Sequence, residues 1–496
     1  MKQLIIIGLI AIALTSCDSY LDINRDPNSP AVEDLNPSLI FPGCEMNLSS
    51  QYGNFLRITG GYFAQYYSQT YGTSNYIDYS RWIMTATRAS TNYSRLNSLG
   101  LKNLETIREM ATKDEEWGTY LAATTLRVFI YQIFVDTYGE VPYTEALQGN
   151  NNLSPKYDQG QKIYEGILAE LNEALGKVTS SNSVCKNFLF GTTSVNEWIQ
   201  FANALKLKLL MRMSDAKDVK NELSALISGG NFPTKDVAWK GIWANSSGKA
   251  NPFYQEEFAT YFGSTQVNVV ANIALVATMN AVKDARLQAA FSPNSAGNYT
   301  GAVSGTNFDT APTGTLGATY WNRPRIVFDT PVFLISVAEI EFFLAEYYAR
   351  YGGGDAEAHY KAAVQASFST MGVSGADVVL DAYPWNATNY REVIGIQKWV
   401  ALGCMNTFEG WCELRRLKYP AFGTITGEQI YNKQTGQYTP AVYVPGTLYV
   451  PIEKNVDLNA NTVLQRFPYP ESSTTRNPNA PVFERKDVNK SIFWVK

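Results

Sequence analysis

An apolar stretch at residues 396–420, IQKWVALGCMNTFEGWCELRRLKYP, constrains the fold more than any other feature of the sequence. Large apolar side chains recur along it at helical spacing, and others lie off that stripe, so the predicted helix is apolar on more than one side. Such a helix is buried between other helices. Arg415 and Arg416 suit its last turn, where cations favour the helix dipole, and Pro420 marks its end. We therefore expect one long buried helix in a mostly α-helical protein.

Helical spacing also recurs at residues 91–112, 115–138 and 332–351, and in a pair of stretches after residue 157. Helix pairs with small residues at their contacts are typical of tetratricopeptide-type units, although the period of about 34 residues is absent. Residues 229–325 differ, because Gly, Asn, Thr and Ser are frequent and only 268–287 has the spacing of a helix. The sequence thus predicts a scaffold of helix pairs with one loop-rich excursion.

The residue counts exclude several classes of function. The formal net charge is −4 and no basic stripe is present, so we expect no nucleic-acid partner. A single histidine, His359, excludes a His-rich metal site, and it lies in a polar helical context. Cys404 and Cys412 would lie about 12 Å apart on a straight helix, too far for a disulfide. We expect free thiols, no metal centre and no cofactor.

The N-terminus has the pattern of a bacterial lipoprotein signal. Lys2 precedes an apolar run at residues 4–14, and Leu-Thr-Ser-Cys at 14–17 fits a lipobox. The run is shorter than the roughly 20 residues that a membrane-spanning helix needs. We therefore predict a signal peptide at 1–16 and lipid attachment at Cys17. A tether at 17–40 and a single domain at 41–496 follow.

Several motifs carry a family resemblance. They are QKWVAL, FEGW and RRLKYP within 397–420, DTYGEVPYTEAL at 136–147, and YLDINRDPNSP after Cys17. Together they resemble the SusD/RagB family of outer-membrane nutrient-binding lipoproteins, and the SusD-like branch most closely. The sequence departs from the family pattern at Gly446 and Thr447, where paired arginines are usual.

This resemblance implies a mostly α fold with a tetratricopeptide-like helix-pair scaffold and an irregular, loop-rich region that faces the ligand. It implies a protein on the cell surface, anchored in outer-membrane lipid through acylated Cys17. Such a protein binds a nutrient oligosaccharide and delivers it to a SusC-like TonB-dependent transporter without catalysis. For RagB-like relatives the ligand is a peptide instead.

The ligand site is expected in loops inserted into the helical frame. Aromatic rings there would stack on apolar sugar faces, and amide or guanidinium groups would bind hydroxyls. The alternative for each ring is internal packing, because large rings are usually buried. The candidates are Tyr76, Trp82, Trp243, Tyr320 and Trp321, with Asn322 and Arg323 as polar partners.

Two other functions stay open. A surface glycoside hydrolase needs two carboxyl groups about 5–10 Å apart across a cleft. Glu339 and Glu346 share one face of the helix predicted at 332–351, but paired structural acids are the simpler interpretation. The second is a purely structural surface lipoprotein, which the absence of any ligand would favour.

Overall fold

The computed structural model describes residues 35–70, 72–259, 267–306 and 322–496, together with the backbone of 313–314. The signal peptide, Cys17 and most of the predicted tether lie outside the described residues. Helices dominate the described chain, as predicted. The α-helices are α1 (Pro37–Ser50), α2 (Arg57–Phe63), α3 (Ile77–Ser80), α4 (Ala86–Arg95), α5 (Lys102–Lys113), α6 (Trp117–Tyr138), α7 (Gly160–Lys177), α8 (Asn196–Met213), α9 (Lys220–Gly229), α10 (Pro252–Glu257), α11 (Ile273–Ala281), α12 (Arg286–Ala290), α13 (Val337–Tyr351), α14 (Ala356–Thr370), α15 (Ala376–Ala382), α16 (Tyr390–Met405), α17 (Thr407–Leu417), α18 (Gly427–Ile430) and α19 (Glu471–Thr474).

Within the described ranges the strands are short, and all of them form two-stranded ribbons. β1 pairs with β5, β2 with β3 and β4 with β7, all antiparallel, whereas β8 with β10 and β6 with β9 are parallel. They are β1 (Tyr67–Gln69), β2 (Val141–Pro142), β3 (Tyr157–Asp158), β4 (Val237–Trp239), β5 (Val269–Ala271), β6 (Thr313–Gly314), β7 (Val332–Ile335), β8 (Phe422–Thr426), β9 (Gln437–Tyr438) and β10 (Leu448–Val450). Packing between helices therefore forms the core, and the ribbons connect loops at its edges.

Helix α6 lies at the centre of the core. Every residue from Gly118 to Tyr138 is buried, because α5, α7 and α8 cover it on different sides. Close approach requires Gly118, since a Cβ there would lie 2.2 Å from the Ser183 carbonyl oxygen. The pairs α5–α6, α6–α7, α13–α14 and α16–α17 pack consecutive helices together. This arrangement matches the predicted helix-pair scaffold.

The prediction of one long helix at 396–420 is wrong in one respect. α16 ends at Met405 and α17 begins at Thr407, because Asn406 leaves the helical region at φ −142° and ψ 83°. The side-chain Nδ2 of Asn406 donates to Tyr52 Oη at 3.0 Å and to the Phe333 carbonyl at 3.1 Å. These long-range hydrogen bonds outweigh local helical preference. The expected burial is confirmed, since every residue of α17 is buried.

Side chains that cap helices explain two further differences. The helix predicted at 332–351 begins as strand β7, and α13 starts only after Ser336, whose Oγ accepts from the Glu339 amide at 3.1 Å. The helix predicted at 268–287 likewise begins as β5. Asn272 then caps α11, accepting from the Ala274 amide at 2.8 Å. Asn and Ser compete with backbone ladders in this way, so they mark helix starts rather than helix interiors.

Candidate functional site

Five helices meet around a buried network of charges. Arg212 lies at its centre, with Asp136 and Glu409 in direct contact and Glu413 at 3.3 Å. The network comprises the acids Asp136, Glu339, Glu346, Glu409 and Glu413 and the bases Lys208, Arg212, Lys398 and Arg416. The residues of the FE-x-W and RR motifs thus join α17 to α6, α8, α13 and α16.

The acids of this network are structural. Glu346 pairs with Arg416 at 2.6 Å, and Glu339 pairs with Lys208 at 2.9 Å. Burial alone would raise the pKa of Glu409, but Arg212 and Lys208 outweigh it and hold the pKa at about 2. These side chains are at most 2% exposed. A substrate cannot reach them, so the pair Glu339 and Glu346 does not form a hydrolytic site.

The other reactive side chains also pack. His359 joins α14 to α13, with Nδ1 2.6 Å from Glu341 and its ring stacked on Tyr348. The thiols of Cys404 and Cys412 are free, and burial raises the pKa of Cys404 to about 12. Within the described residues, no group of three or more His, Cys, Asp or Glu could hold a metal ion.

A different face gathers loop residues around ribbon β1–β5. The ribbon is antiparallel, with Gln69 opposite Val269, so the chain leaving β1 and the chain entering β5 lie at the same edge. The Gln69 side chain accepts from the Tyr76 amide at 2.7 Å, which folds the loop after β1 back onto this edge. At the opposite end of β5, the Ala271 amide donates to the Asn322 carbonyl at 2.7 Å. Residues distant in sequence are thereby brought together.

Tyr76, Glu257, Asn268 and Arg323 form what we call the Glu257 cluster. The Tyr76 hydroxyl donates to one carboxylate oxygen of Glu257, and the Asn268 amide donates to the other at 3.2 Å. Burial raises the pKa of Glu257, although these two hydrogen bonds oppose the rise. Burial lowers the pKa of Arg323, against the attraction of Glu257. The cluster therefore contains a buried carboxyl group and a partly buried guanidinium group whose charged forms are only partly stabilised by their neighbours.

Two of its buried atoms have no hydrogen-bond partner among the described residues. They are Arg323 Nε and Asn268 Oδ1, a donor and an acceptor. Buried polar atoms in proteins are nearly always paired with protein, water or ligand. The cluster can therefore donate one further hydrogen bond to a polar molecule, from Arg323 Nε, and accept one from it, at Asn268 Oδ1.

Tyr254 and Phe258 lie beside this cluster and form what we call the ring platform. Tyr254 lies in the first turn of α10 and Phe258 follows the end of the helix, one turn later; their rings stack with centroids 6.5 Å apart and planes 7° apart. Both side chains are partly exposed. The Arg323 guanidinium lies 4.8 Å from the Phe258 ring centroid. Flat apolar rings next to unpaired polar atoms are the groups that bind a sugar ring.

Comparison with known proteins identifies the family. Residues 29–441 match the SusD-like family model that is described as starch-binding and associating with the outer membrane. The chain belongs to the SusD-like family. Among curated proteins, no sequence matches the chain.

Several solved structures share this fold, SusD homologues among them. One from Bacteroides uniformis has a TM-score of 0.73 and 20% identity, covering 91% of this chain and 98% of the homologue. A chitin-binding protein has a TM-score of 0.72 and 21% identity, covering 93% and 100%. A SusD-like protein from Bacteroides thetaiotaomicron has a TM-score of 0.65 and 21% identity, covering 88% and 93%. None of the helices in the described ranges has the length and hydrophobicity needed to cross a membrane.

The structure of this SusD-like chain brings together Tyr76 and Arg323, both of which interact with Glu257, but it places Trp82 and Trp243 elsewhere. Trp82 is fully buried, and its indole N–H donates to the Tyr62 carbonyl at 3.2 Å. Trp243 is also buried, with an indole nitrogen that has no partner in the described chain. These two rings offer no open face to a sugar. Tyr320 and Trp321 lie outside the described residues.

Asn322 holds a loop rather than facing outward. Its Oδ1 accepts from the amides of Thr300 and Gly301 at 2.8 and 3.0 Å, and its Nδ2 donates to the carbonyls of Ser292 and Asn298 at 3.1 and 2.9 Å. These bonds use both polar atoms of the side chain. Asn322 therefore positions the neighbouring Arg323 and has little capacity left for a ligand.

Sequence reasoning missed Glu257, Asn268, Tyr254 and Phe258. A weak signal was present, because FYQEEF at 253–258 places rings around carboxylates within the loop-rich excursion. A larger cleft of about 580 Å³ lies elsewhere, at the C-terminal end of α17. Its buried cation, Arg415, already donates to the carbonyls of Gln465 and Asp136, so we favour the Glu257 cluster and the ring platform as the functional site.

Proposed function

We propose that this protein is a binding lipoprotein on the outer face of the outer membrane, held there by acyl chains on Cys17. It captures a nutrient oligosaccharide at the ring platform and the Glu257 cluster. It then passes the intact sugar to a SusC-like TonB-dependent transporter. No bond is broken, and the carboxylate of Glu257 serves as an acceptor for hydroxyl groups.

The observation that carries this proposal is the pairing of partly exposed, stacked rings with unpaired buried polar atoms. Tyr254 and Phe258 supply the rings, and Asn268 and Arg323 supply the acceptor and donor. A sugar ring has an apolar face and a rim of hydroxyls, so it complements both kinds of group. The family description as starch-binding and the chitin-binding protein of similar fold support a saccharide ligand.

The decisive experiment is native mass spectrometry of the mature chain with pooled oligosaccharides and a peptide digest. We expect an intact oligosaccharide to be retained, and Phe258→Ala to weaken its binding about tenfold or more, as for central aromatic contacts in other interfaces. Tyr351→Ala is the matched control, because Tyr351 is also a partly buried ring beside an arginine, with Arg350 at 5.7 Å, but lies on the scaffold. Its binding should be unchanged.

Other outcomes choose between the alternatives. Retained peptides would indicate a RagB-like ligand and overturn the sugar. Shortened sugars in the free pool would indicate a glycoside hydrolase and overturn the binding function. Equal losses from Phe258→Ala and Tyr351→Ala would remove the ring platform from the site.

The anchor and the partner are tested separately. Cys17→Ala should abolish incorporation of radioactive palmitate, and continued labelling would contradict the anchor. Purification of the tagged chain from outer membranes should recover a TonB-dependent barrel protein. Its absence after cross-linking would contradict delivery to a transporter.

A further inference from the structure

A pocket of about 220 Å³ lies next to the ring platform, under the chain that follows Arg323. We call it the Arg57 pocket. Its walls are largely apolar, and the described residues that line it include no Asp or Glu. Those used below are Arg57, Phe291 and Arg325. Binding pockets for drug-sized molecules span about 300–1,000 Å³, so this one suits a single small unit of a ligand.

Arg57 is a buried cation with incomplete partners. The residue is 8% exposed, its Nε has no hydrogen-bond partner among the described residues, and Nη1 makes one long bond of 3.4 Å to the Met405 carbonyl. No described carboxylate forms an ion pair with it, whereas the fully buried Arg212 meets three. Burying a guanidinium without a carboxylate is unfavourable. An anion in the pocket would complete it.

A second cation lines the same pocket. Arg325 donates from Nε to the Phe291 carbonyl at 2.9 Å, and its backbone amide donates to the Ala290 carbonyl at 2.8 Å. These bonds fix Arg325 at the rim, where it is exposed and has no acid partner among the described residues. Two guanidinium groups without a neighbouring carboxylate give the pocket a positive potential.

Local structure holds Arg57 in place. A π-helical segment, Gln51–Leu56, ends directly before it, and such segments are frequent at functional sites because they change the direction of side chains. Three residues on, Gly60 packs against α17 so closely that a Cβ would lie 2.6 Å from the Thr407 carbonyl oxygen. The start of α2 is therefore held firmly, and Arg57 is presented by a rigid element.

One buried ring, Phe253, lies between the Arg57 pocket and the ring platform. The Arg57 guanidinium lies 5.4 Å from the centroid of Phe253, and that ring lies 5.4 Å from Phe258. On the other side, Arg325 follows Arg323 by two positions in the chain. A ligand held at Phe258 would reach Arg57 if it extends past Phe253.

We propose that the Arg57 pocket binds a carboxylate group of the captured ligand, so that the protein selects acidic ligands over neutral ones. This inference rests on the function proposed above and specifies its ligand class. Guanidinium groups bind carboxylates through strong, charge-assisted hydrogen bonds. The carboxylate could belong to a uronic acid unit of an oligosaccharide or to the C-terminus of a peptide.

The test compares acids with their amides. Calorimetry of the full chain in detergent would measure glucuronate against glucuronamide, and trialanine against trialanine amide. We expect one acid to bind at least about tenfold more tightly than its amide, the range of a hydrogen bond to a charged group. Preference for glucuronate identifies an acidic sugar, and preference for trialanine identifies a peptide C-terminus.

Variants assign the preference to the pocket. Arg325→Gln, at an exposed position that should not affect folding, and Arg57→Gln should both reduce the acid-to-amide ratio towards one. Arg485→Gln is the control, since that side chain is 79% exposed and pairs with Asp457 elsewhere. A purely structural role of Arg57 at the end of α16 would lower stability but leave the ratio unchanged.

Equal binding of acid and amide, or no binding of either, would overturn the proposal. The function proposed above fails differently. If neutral oligosaccharides bind and Phe258→Ala weakens them while acids gain nothing, sugar capture stands and the carboxylate pocket falls. If acids are preferred but no oligosaccharide binds, the carboxylate pocket stands and sugar capture falls.

Discussion

The charge network and the Glu257 cluster both bury carboxylates, but they satisfy them differently. Glu413 contacts Arg212, Lys398 and Arg416, and these cations hold its pKa well below the usual range despite burial. Glu257 has neutral hydrogen-bond partners, and burial raises its pKa. Ion pairs with several cations make the first region a rigid scaffold. Incomplete pairing leaves the second able to bind another molecule.

The largest effect should come from unpairing the network. Arg212→Met leaves three buried carboxylates without their shared cation. Removing one partner of a buried ion pair costs about 3–5 kcal/mol, and we expect the upper end here, about 5 kcal/mol. Urea denaturation followed by circular dichroism measures the loss. Arg485→Met, at an exposed pair, should cost less than about 1 kcal/mol. Similar losses for both variants would contradict the distinction.

The aromatic residues allow a second contrast. Trp82 is fully buried in the core, whereas Tyr254 on the ring platform is partly exposed. Trp82→Ala should lower the free energy of unfolding by about 3–4 kcal/mol through the cavity it leaves. Tyr254→Ala should lower it by less than about 1 kcal/mol, as at surface sites, and reduce ligand binding instead. A stable Trp82→Ala variant with weakened binding would move Trp82 into the site.

The scaffold could be predicted from sequence because its signals are local. The motif residues Glu409, Arg415 and Arg416 lie within one apolar stretch, and helical spacing shows that this stretch is buried. Helical spacing cannot show that a side chain forms hydrogen bonds with residues distant in sequence and thereby interrupts the helix. The side chain of Asn406 interrupts the predicted helix, because its Nδ2 donates hydrogen bonds to Tyr52 and Phe333, which are distant in sequence.

The site was less predictable because its residues come from four separate segments. Tyr76, Glu257, Asn268 and Arg323 meet only because ribbon β1–β5 and the Asn322 hydrogen bonds join their loops. Composition indicated rings and amides in loops, but it could not separate Trp82, which packs, from Phe258, which is partly exposed. Burial depends on tertiary structure, and a loop has no periodicity that reveals it.

Glu45 is a further buried acid, and no described cation forms an ion pair with it. Its carboxylate accepts from the amides of Phe188 and Leu189 at 2.6 and 2.9 Å, and burial raises its pKa to about 7. Between pH 4.5 and 7 the folded state therefore holds a proton that the unfolded state has released, so stability falls as pH rises. One pKa unit corresponds to about 1.4 kcal/mol, which gives a loss of about 3 kcal/mol across this window.

The measurement is urea denaturation at several pH values. Glu45→Gln should remove most of this pH dependence, and the exposed Glu428→Gln should leave it unchanged. A wild-type protein whose stability rises from pH 5 to 7 relative to Glu45→Gln would show that Glu45 is ionised in the folded state. Hydrogen bonds from backbone amides would then be enough to keep this buried carboxylate ionised without a cation.

The smallest effect should come from Tyr76→Phe, which removes one hydrogen bond from the Glu257 cluster. Because that bond opposes the effect of burial, its loss should raise the pKa of Glu257 further. We expect a loss of about 1 kcal/mol at neutral pH, the usual contribution of one hydrogen bond. In a double-mutant cycle, Tyr76→Phe should cost less in the Glu257→Gln background, whereas the control Tyr351→Phe should be additive. Additivity for Tyr76 would mean that its hydroxyl does not stabilise the Glu257 carboxylate. The inference that this carboxylate can accept a hydrogen bond from a ligand hydroxyl would then lose its support.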